Sequence, residues 1–255
     1  MNEILFALLV GFVIAQLQSL NTTVFLHRKV THGALSLNRW VEAICKFWNW
    51  ITSGINPLEW AAVHRKHHKF TDQEGDPHSP LVHGLWTVFF TNVALYRREA
   101  RNPETLRNFI YQKELEARTW LDKHIFSRGT AGLAIGIGSL CGLLGVVPGL
   151  IASATHAILY MGVLSPAVNS ICHSKFWIGY QRYKRGAHVK HAYNNLPVAL
   201  LTCGEGNHNN HHEAPMVAKL SRKWWEPDLG WYTIWLLKKL KLATVYYMPA
   251  PHESH

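Results

Sequence analysis

The sequence predicts an all-α integral membrane protein in which a few transmembrane helices carry a cytoplasmic helical cap, and the cap holds a histidine-rich metal site. Three observations predict it. No Asp, Glu, Lys or Arg occurs in the 43 residues from Thr130 to Cys172, about twice the ~20 residues that cross a bilayer core. A second apolar run extends from Ile4 to Leu26. Eight histidines stand in three clusters on the more polar segments outside those runs.

Residues 4–26 read as the first span, softened by Gln16, Gln18, Ser19, Asn21, Thr22 and Thr23. The run has no positively charged start and no small-residue cleavage site, so it reads as a span and not as a signal peptide. Arg28 and Lys29 then mark the membrane boundary. His27 and His32 are five residues apart, roughly 140° around an ideal helix, so they do not face one metal from a regular helix. Either the helix breaks there or each histidine serves a different ion.

Residues 37–56 are aromatic and apolar, with Arg39, Glu42 and Lys46 as their charges. Trp40, Phe47, Trp48 and Trp50 suit a membrane interface. An interfacial or partly buried helix is expected, because a crossing would carry the second histidine cluster away from the first. Pro57 opens a helix bearing His64, His67 and His68. Positions i, i+3 and i+4 share a helix face, so this triplet points three imidazoles toward one place. The turn-rich loop Thr71–His78 follows, and His78 reads as a hydrogen-bonding loop histidine. Leu85 to Tyr96 is an apolar helix too short to cross. Residues 97–128, with a start at Pro103-Glu104, read as a charged cap helix.

Gly145-Val146-Val147-Pro148-Gly149 divides the charge-free stretch into two spans, about 131–147 and 151–172. His156 reads as structural. Asn169 and His173 are i and i+4 on one face at the inner end of the second span. A polar pair there costs free energy unless it is satisfied, so it is a site candidate. Residues 174–203 form a basic connector, in which His188 and His191 sit among Lys184, Arg185 and Lys190 and read as solvated or headgroup-facing. The third cluster is Gly204-Glu205-Gly206-Asn207-His208-Asn209-Asn210-His211-His212. Trp231 to Leu242 reads as an amphipathic helix on the core or the bilayer surface, and Pro249 to His255 as a disordered tail. The whole is one domain, 1–255, with cap segments 57–130 and 173–248.

The net charge of +10 follows the membrane rather than a nucleic-acid face. Lys and Arg number 4 in residues 27–56, 11 in 57–130 and 11 in 174–255, and none lies in the turn at 145–149. The positive-inside rule therefore puts all three clusters on the cytoplasmic side, and the excess charge favours anionic lipid headgroups. Cys45, Cys141, Cys172 and Cys203 are scattered with no CxxC pair, so neither disulfides nor a zinc knuckle is implied.

Imidazole is a good ligand for iron, copper and zinc. Eight clustered histidines exceed one tetrahedral zinc and suit two metals. With its boxes HRKVTH, EWAAVHRKHHKF followed by DPH, NSICH, NNLPVALLTCGEGNHNNHH and GWYTIWLLKKLKLA, the chain resembles the membrane fatty acid desaturase family from about residue 10 to 243. Stearoyl-CoA desaturases and the bacterial acyl-lipid desaturases belong to it. Any single HxxHH is a weak signal; three boxes in this order at these separations are specific.

The resemblance implies a non-haem di-iron site that uses O2. Its ligands would be His27, His32, His64, His67, His68, His173, His208, His211 and His212, with Asn169 acting through water. It implies that His27 and His32 serve different irons. Glu59, Asp76 and Glu205 are expected to orient the rings. Neutral imidazoles hold iron without adding negative charge. The expected activity is introduction of a cis double bond into a saturated acyl chain with O2 and two electrons. A hydroxylase on the same scaffold is the nearest alternative, and a non-enzymatic metal-binding or transport protein a remote one.

Three features bear on substrate and partners. The family has four membrane helices, and this chain begins at what would be the second. Ala62 and Val63 stand where acyl-CoA members carry a charged pair, so an acyl chain on a lipid or a carrier protein is expected at least as much as a CoA thioester. No HPGG motif of a fused cytochrome b5 is present, which calls for a separate donor such as a ferredoxin, rubredoxin or cytochrome b5-type protein. The expected location is a bacterial inner membrane, with the active site facing the cytoplasm.

Overall fold

The Asn2 side chain accepts the backbone N–H of Ile4 at 2.9 Å and so opens α1 (Glu3–Asn21). In the computed structural model, which describes residues 2–176 and 178–248, α1 does not stop at the first histidine. It continues unbroken as a wide π-helical segment, Thr22–Thr31. Strand β1 (Leu35–Leu37) and α2 (Arg39–Thr52) follow, the helix capped by Asn38. Asn56 caps α3 (Pro57–Phe70), and Pro57 takes the first helical position, where its fixed φ fits and its missing N–H has no partner to lose.

Beyond the loop at 71–79 come α4 (Pro80–His83) and α5 (Leu85–Glu99). Three short helices succeed them: α6 (Pro103–Phe109), α7 (Gln112–Glu116) and α8 (Trp120–His124). Next is the apolar hairpin of α9 (Gly129–Leu144) and α10 (Val146–Leu159). The second arm runs on through a π turn (Tyr160–Leu164), α11 (Ser165–Ser170) and a 3-10 turn ending at His173. The chain closes with α12 (Leu196–Leu201), α13 (His208–Glu213), α14 (Leu229–Lys239) and β2 (Ala243–Val245). β2 pairs antiparallel with β1, Leu35 opposite Val245. The C-terminal segment thereby covers the root of the first histidine box, where Val24, Phe25, Leu26, Leu35, Trp231 and Ile234 form the main core.

The apolar helices meet through small residues. Gly129, Gly132 and Gly136 lie at i, i+3 and i+7 on α9. A Cβ at these positions would fall 2.1–2.3 Å from the carbonyl oxygens of Gly54, Trp50 and Ile51, so α9 rests directly on the α2 backbone. Tyr160 Oη and Thr22 Oγ1 hydrogen-bond at 2.7 Å, and the ring N–H of His156 donates to Thr52 O at 2.8 Å. His156 thus ties α10 to α2, the structural role expected of it.

Among the described residues two helices are long and apolar enough to cross a membrane, Glu3–Thr31 and Val146–His173, and α9, with 16 residues, is a shorter apolar helix. Two expectations are corrected. The single cap helix expected at 97–128 is three helices, because Asn102 and Thr119 cap new starts and Ile110 is extended. Arg28, expected at the membrane boundary, is 1% exposed. It pairs with Asp228 at 2.7 Å and donates to Ala218 O, which fastens the first box to α14. All four cysteines are free, with Cys172 and Cys203 buried. The tail at 249–255 lies outside the described residues.

Candidate metal centre

The nine histidines gather on the wide segment, α3, the end of the second hairpin arm, and α13. Their ring nitrogens form two groups, each with all ligand atoms within 4.8 Å of one another: His27, His32, His64, His68 and His211, and His67, His173, His208 and His212.

The wide helix explains the first box. A π-helix bonds residue i+5 back to residue i, and the His32 N–H donates to His27 O at 3.1 Å. The i+5 neighbour therefore lies over its partner, and the two rings meet edge to face, 4.9 Å apart at 78°. Both join the five-histidine group, against the expectation that they divide between two ions.

The triplets divide instead. At 100° per residue, i+3 and i+4 fall on opposite sides of i. His64 and His68 approach Nε2 to Nε2 at 3.1 Å in one group, while His67 turns into the other. On α13, His211 meets His68 and His27 at 2.9 and 3.0 Å; His208 and His212 turn to His173 and His67. The turn before α13 needs its glycines. Gly204 has φ +116°, and a Cβ on Gly206 would lie 2.2 Å from Ala199 N.

Three carboxylates fix the tautomers of three rings. Nδ1 of His27 donates to Glu205 at 2.7 Å, Nδ1 of His67 to Asp76 at 2.9 Å, and Nδ1 of His173 to Asp72 at 2.8 Å. Thr23 also donates to Glu205. Glu59, expected in this role, accepts from Asn56 at 3.1 Å and lines a cavity; five residues before His64 on the same helix, it is bound to its own helix cap. Asp72 takes the place sequence reasoning gave to Glu59. It sits 101 positions from His173, so no local spacing marks it. Burial raises the Asp72 and Asp76 carboxyls, but the facing imidazoles outweigh this and hold both below the ordinary range.

These donors leave the Nε2 of His27, His67 and His173 as lone pairs aimed at other Nε2 atoms 3.0, 3.3 and 2.7 Å away. Facing lone pairs repel unless a cation sits between them. Two nitrogens ~2.1 Å from one metal at right angles stand about 3 Å apart, so the spacing fits a first-row metal. Nε2 of His32 and Nδ1 of His211 and His212 are buried with no protein partner. Burial, then the neighbouring rings, push His32, His64, His68, His208, His211 and His212 well below the ordinary imidazole value. They are neutral at pH 7, the state that binds metal. For His67 burial is outweighed by Asp76, and its affinity for a proton is raised.

Asn169 donates through Nδ2 to Asn92 Oδ1 at 2.8 Å, and Asn92 donates to Ser165 at 3.2 Å. With Nδ2 engaged, the Asn169 carbonyl is the atom suited to hold a water; Asn92 is a partner that the sequence did not indicate. His78 is 5% exposed and stacks on His67 with ring centroids 4.6 Å apart. The expected ring hydrogen bond is not formed at Nε2; its backbone N–H donates to Asp76 instead. Burial pushes His78 down to about 3.

Two asparagines inside the third box were also unmarked. Asn210 is bonded to Asn194, Leu220 O and Glu226, and Asn209 to the backbone of Arg182, Tyr183 and Ala192. Both are fully buried. A cavity of about 430 Å³ reaches the centre, lined by His64, His78 and Asn169 at one part and by Tyr96, Leu133, Met161, Leu164 and Val168 elsewhere.

The family model described as fatty acid desaturase matches residues 3–236. The chain is 32% identical over 237 residues to palmitoyl-monogalactosyldiacylglycerol delta-7 desaturase, chloroplastic, of Arabidopsis thaliana, across 91% of this chain and 59% of that protein. It is 31% identical to delta-9 desaturase-like 5 protein of Arabidopsis thaliana, across 96% and 78%. It is 32% identical to acyl-CoA C20 delta5-desaturase of Anemone leveillei, across 90% and 70%. These relatives are plant proteins, one of them chloroplastic, and do not support the expected bacterial inner membrane.

Proposed function

The chain belongs to the fatty acid desaturase family, which makes it an oxidoreductase of fatty acyl chains, and on that premise we propose that it converts a –CH2–CH2– unit of an acyl chain to a cis –CH=CH–. The step consumes O2, two electrons and two protons and releases two waters. The observation that carries the reading is the pairing of two adjoining histidine groups, five and four rings, with one cavity that reaches the first of them at His64 and is lined also by Asn169.

The nine histidines would hold two irons, with Asn169 placing a water. A bound iron pair would supply the oxidant needed to break an unactivated C–H bond. The chain's own residues do the rest. Glu205, Asp76 and Asp72 hold rings in the tautomer that presents Nε2, as carboxylates do behind metal-bound histidines. Apolar walls at Leu133, Met161, Leu164 and Val168 receive a methylene chain that has no polar handle, so its depth in the cavity selects the bond. Arg97 and Arg101, in the same lining, suit the anionic end of the substrate. Relatives of comparable identity are named for acyl-lipid and for acyl-CoA substrates. Ala62 and Val63 are buried and uncharged where acyl-CoA members carry a charged pair, which leaves an acyl group on a lipid or a carrier protein at least as fitting as a CoA thioester.

A bilayer setting is part of the proposal. The two long apolar helices are 28% and 22% buried in their most apolar windows, whereas the core helix of a soluble protein is mostly buried. Leu5, Leu9, Phe12, Leu143 and Ile158 point outward, where lipid would cover them, and the histidine centre would face the cytoplasmic side.

Expression in a host followed by lipid profiling tests the reaction. A new cis double bond is expected, and its loss in His208→Ala. An alcohol without an alkene, or a product that survives His208→Ala, overturns the proposal.

A further inference from the structure

The proposed reaction consumes two electrons, which must cross the protein surface to reach the histidine groups. One surface combines charge with a direct connection. From Ser174 to Gly204 the sequence has no Asp or Glu, against Lys175, Arg182, Lys184, Arg185 and Lys190. Lys184, Arg185, His188 and Lys190 are exposed.

The underside of this loop is fastened to the metal centre. Asn209 Oδ1 accepts the backbone N–H groups of Arg182 and Tyr183 at 2.9 and 2.7 Å, and its Nδ2 donates to Tyr183 O and Ala192 O at 2.8 and 3.0 Å. Gln181 closes the loop on itself by donating to Lys190 O at 2.8 Å. Bridges from Tyr180 to Asn194 and from Asn194 to Asn207 hold its base. Asn209 is fully buried and joined by one peptide bond to His208 of the four-histidine group. From the Tyr183 backbone to that group, the route is one hydrogen bond, the Asn209 side chain, one peptide unit and the His208 side chain.

We propose that the basic loop at 180–192 is the docking surface for a small acidic one-electron carrier protein, and that electrons enter through Tyr183, Asn209 and His208. This rests on the desaturase reading above. Each docked carrier gives up one electron and leaves oxidised. Two such events, with two protons and the two substrate hydrogens, reduce one O2 to two waters. Charge complementarity selects the carrier's class and speeds the encounter. Anionic lipid headgroups would satisfy the same cations, but they have no use for a rigid, hydrogen-bonded path from the loop to His208. Electron tunnelling does, because its rate falls steeply with each added gap.

The test compares the full-length protein with a Lys184→Glu/Arg185→Glu/Lys190→Glu variant. The probes are a plant-type [2Fe–2S] ferredoxin and a soluble cytochrome b5 domain. Binding is measured on detergent-solubilised protein, both iron-loaded and metal-free, across a salt series. The wild type is expected to bind at least one acidic carrier, less tightly as salt rises. The variant should bind at least about tenfold more weakly at low salt. Carrier-supported product formation should show a KM for the carrier raised by a similar factor, while dithionite-driven product formation stays at the wild-type level. The proposal is overturned if neither carrier binds the wild type in a salt-dependent way, or if the variant binds both as well as the wild type does. It is also overturned if the defect appears only as altered association with anionic lipid nanodiscs, or equally with dithionite. Failure of the desaturase reading looks different: wild type would make no unsaturated product with either reductant, while carrier binding kept its charge dependence.

Discussion

Replacing Asp72 by Asn should cost the protein one of the two irons proposed for it while leaving the fold in place. Asp72 accepts the Nδ1 proton of His173 at 2.8 Å and the Ser79 hydroxyl at 2.7 Å, with Asp72 and His173 side chains 2% and 1% exposed. Asn keeps the shape and one oxygen but drops the charge. A hydrogen bond to a charged group is worth ~1.5–3 kcal/mol, and removing such a support behind a metal-bound histidine weakens metal affinity about 10–100-fold. Iron titration and elemental analysis after equilibration with buffered iron read this directly. The Asp72→Asn protein should lose iron from the four-histidine group first and fall toward one iron per chain. Glu59→Gln should keep wild-type iron content, because Glu59 bonds Asn56 and no ring. An Asp72→Asn protein with wild-type iron affinity, or a Glu59→Gln protein equally depleted, would refute the assignment of the three supporting carboxylates.

Stripping iron with a chelator should lower thermal stability. A ligand at 100 times its Kd contributes about 2.7 kcal/mol, which is roughly 5–10 °C in Tm for a chain of this size; an unchanged Tm would argue against the metal centre. Leu164→Trp should fill the cavity and cut turnover at least about tenfold at constant iron content, by overpacking an otherwise well-fitted wall; turnover at the wild-type rate would remove the cavity from the reaction. Gly132→Val should force α2 and α9 apart, since even a Cβ there meets Trp50 O at 2.3 Å. A loss above ~2 kcal/mol is expected, read as a lower urea midpoint in detergent. Stability should also fall on acidification through the Glu42 cluster. Burial raises the Glu42 carboxyl, but Lys29 at 2.8 Å and Lys46 at 3.1 Å outweigh it and hold it below 4.5. A depressed folded value stabilises above the unfolded value and is lost as pH falls through the folded one. The Tm deficit of Glu42→Gln at pH 7 should therefore shrink at pH values below 4.5.

The sequence carried the histidine boxes because metal ligands are chemically rare in such density and because helical spacing limits where they point. It carried the apolar hairpin because charge is absent there. It did not carry the winding of the first helix, since apolar periodicity in Ile4–Leu26 is blurred by a helix that is apolar on most sides. Nor did it show Asp72, Asn92 or Asn209, whose partners lie far along the chain: a buried polar residue is explained by whom it meets, and spacing along the chain does not give that. The break at 97–128 was legible in principle. Thr119 and Asp122 form the S/T-x-x-D start of a new helix, a signal outweighed by the evenly charged pattern around it.

The π-helical stretch has one more consequence, for how spacings in such boxes translate into shape. Four intervening residues between His27 and His32 match a coil that takes in an additional residue per revolution; three would match an ordinary one. Deleting a single residue among Arg28–Thr31 would thus let the coil tighten to an ordinary turn and still leave the two imidazoles superposed, with Gly33 onward keeping its place around the axis. The pentad in HRKVTH is in this sense a gauge of local pitch, legible wherever two ligands on one helix must reach a common ion.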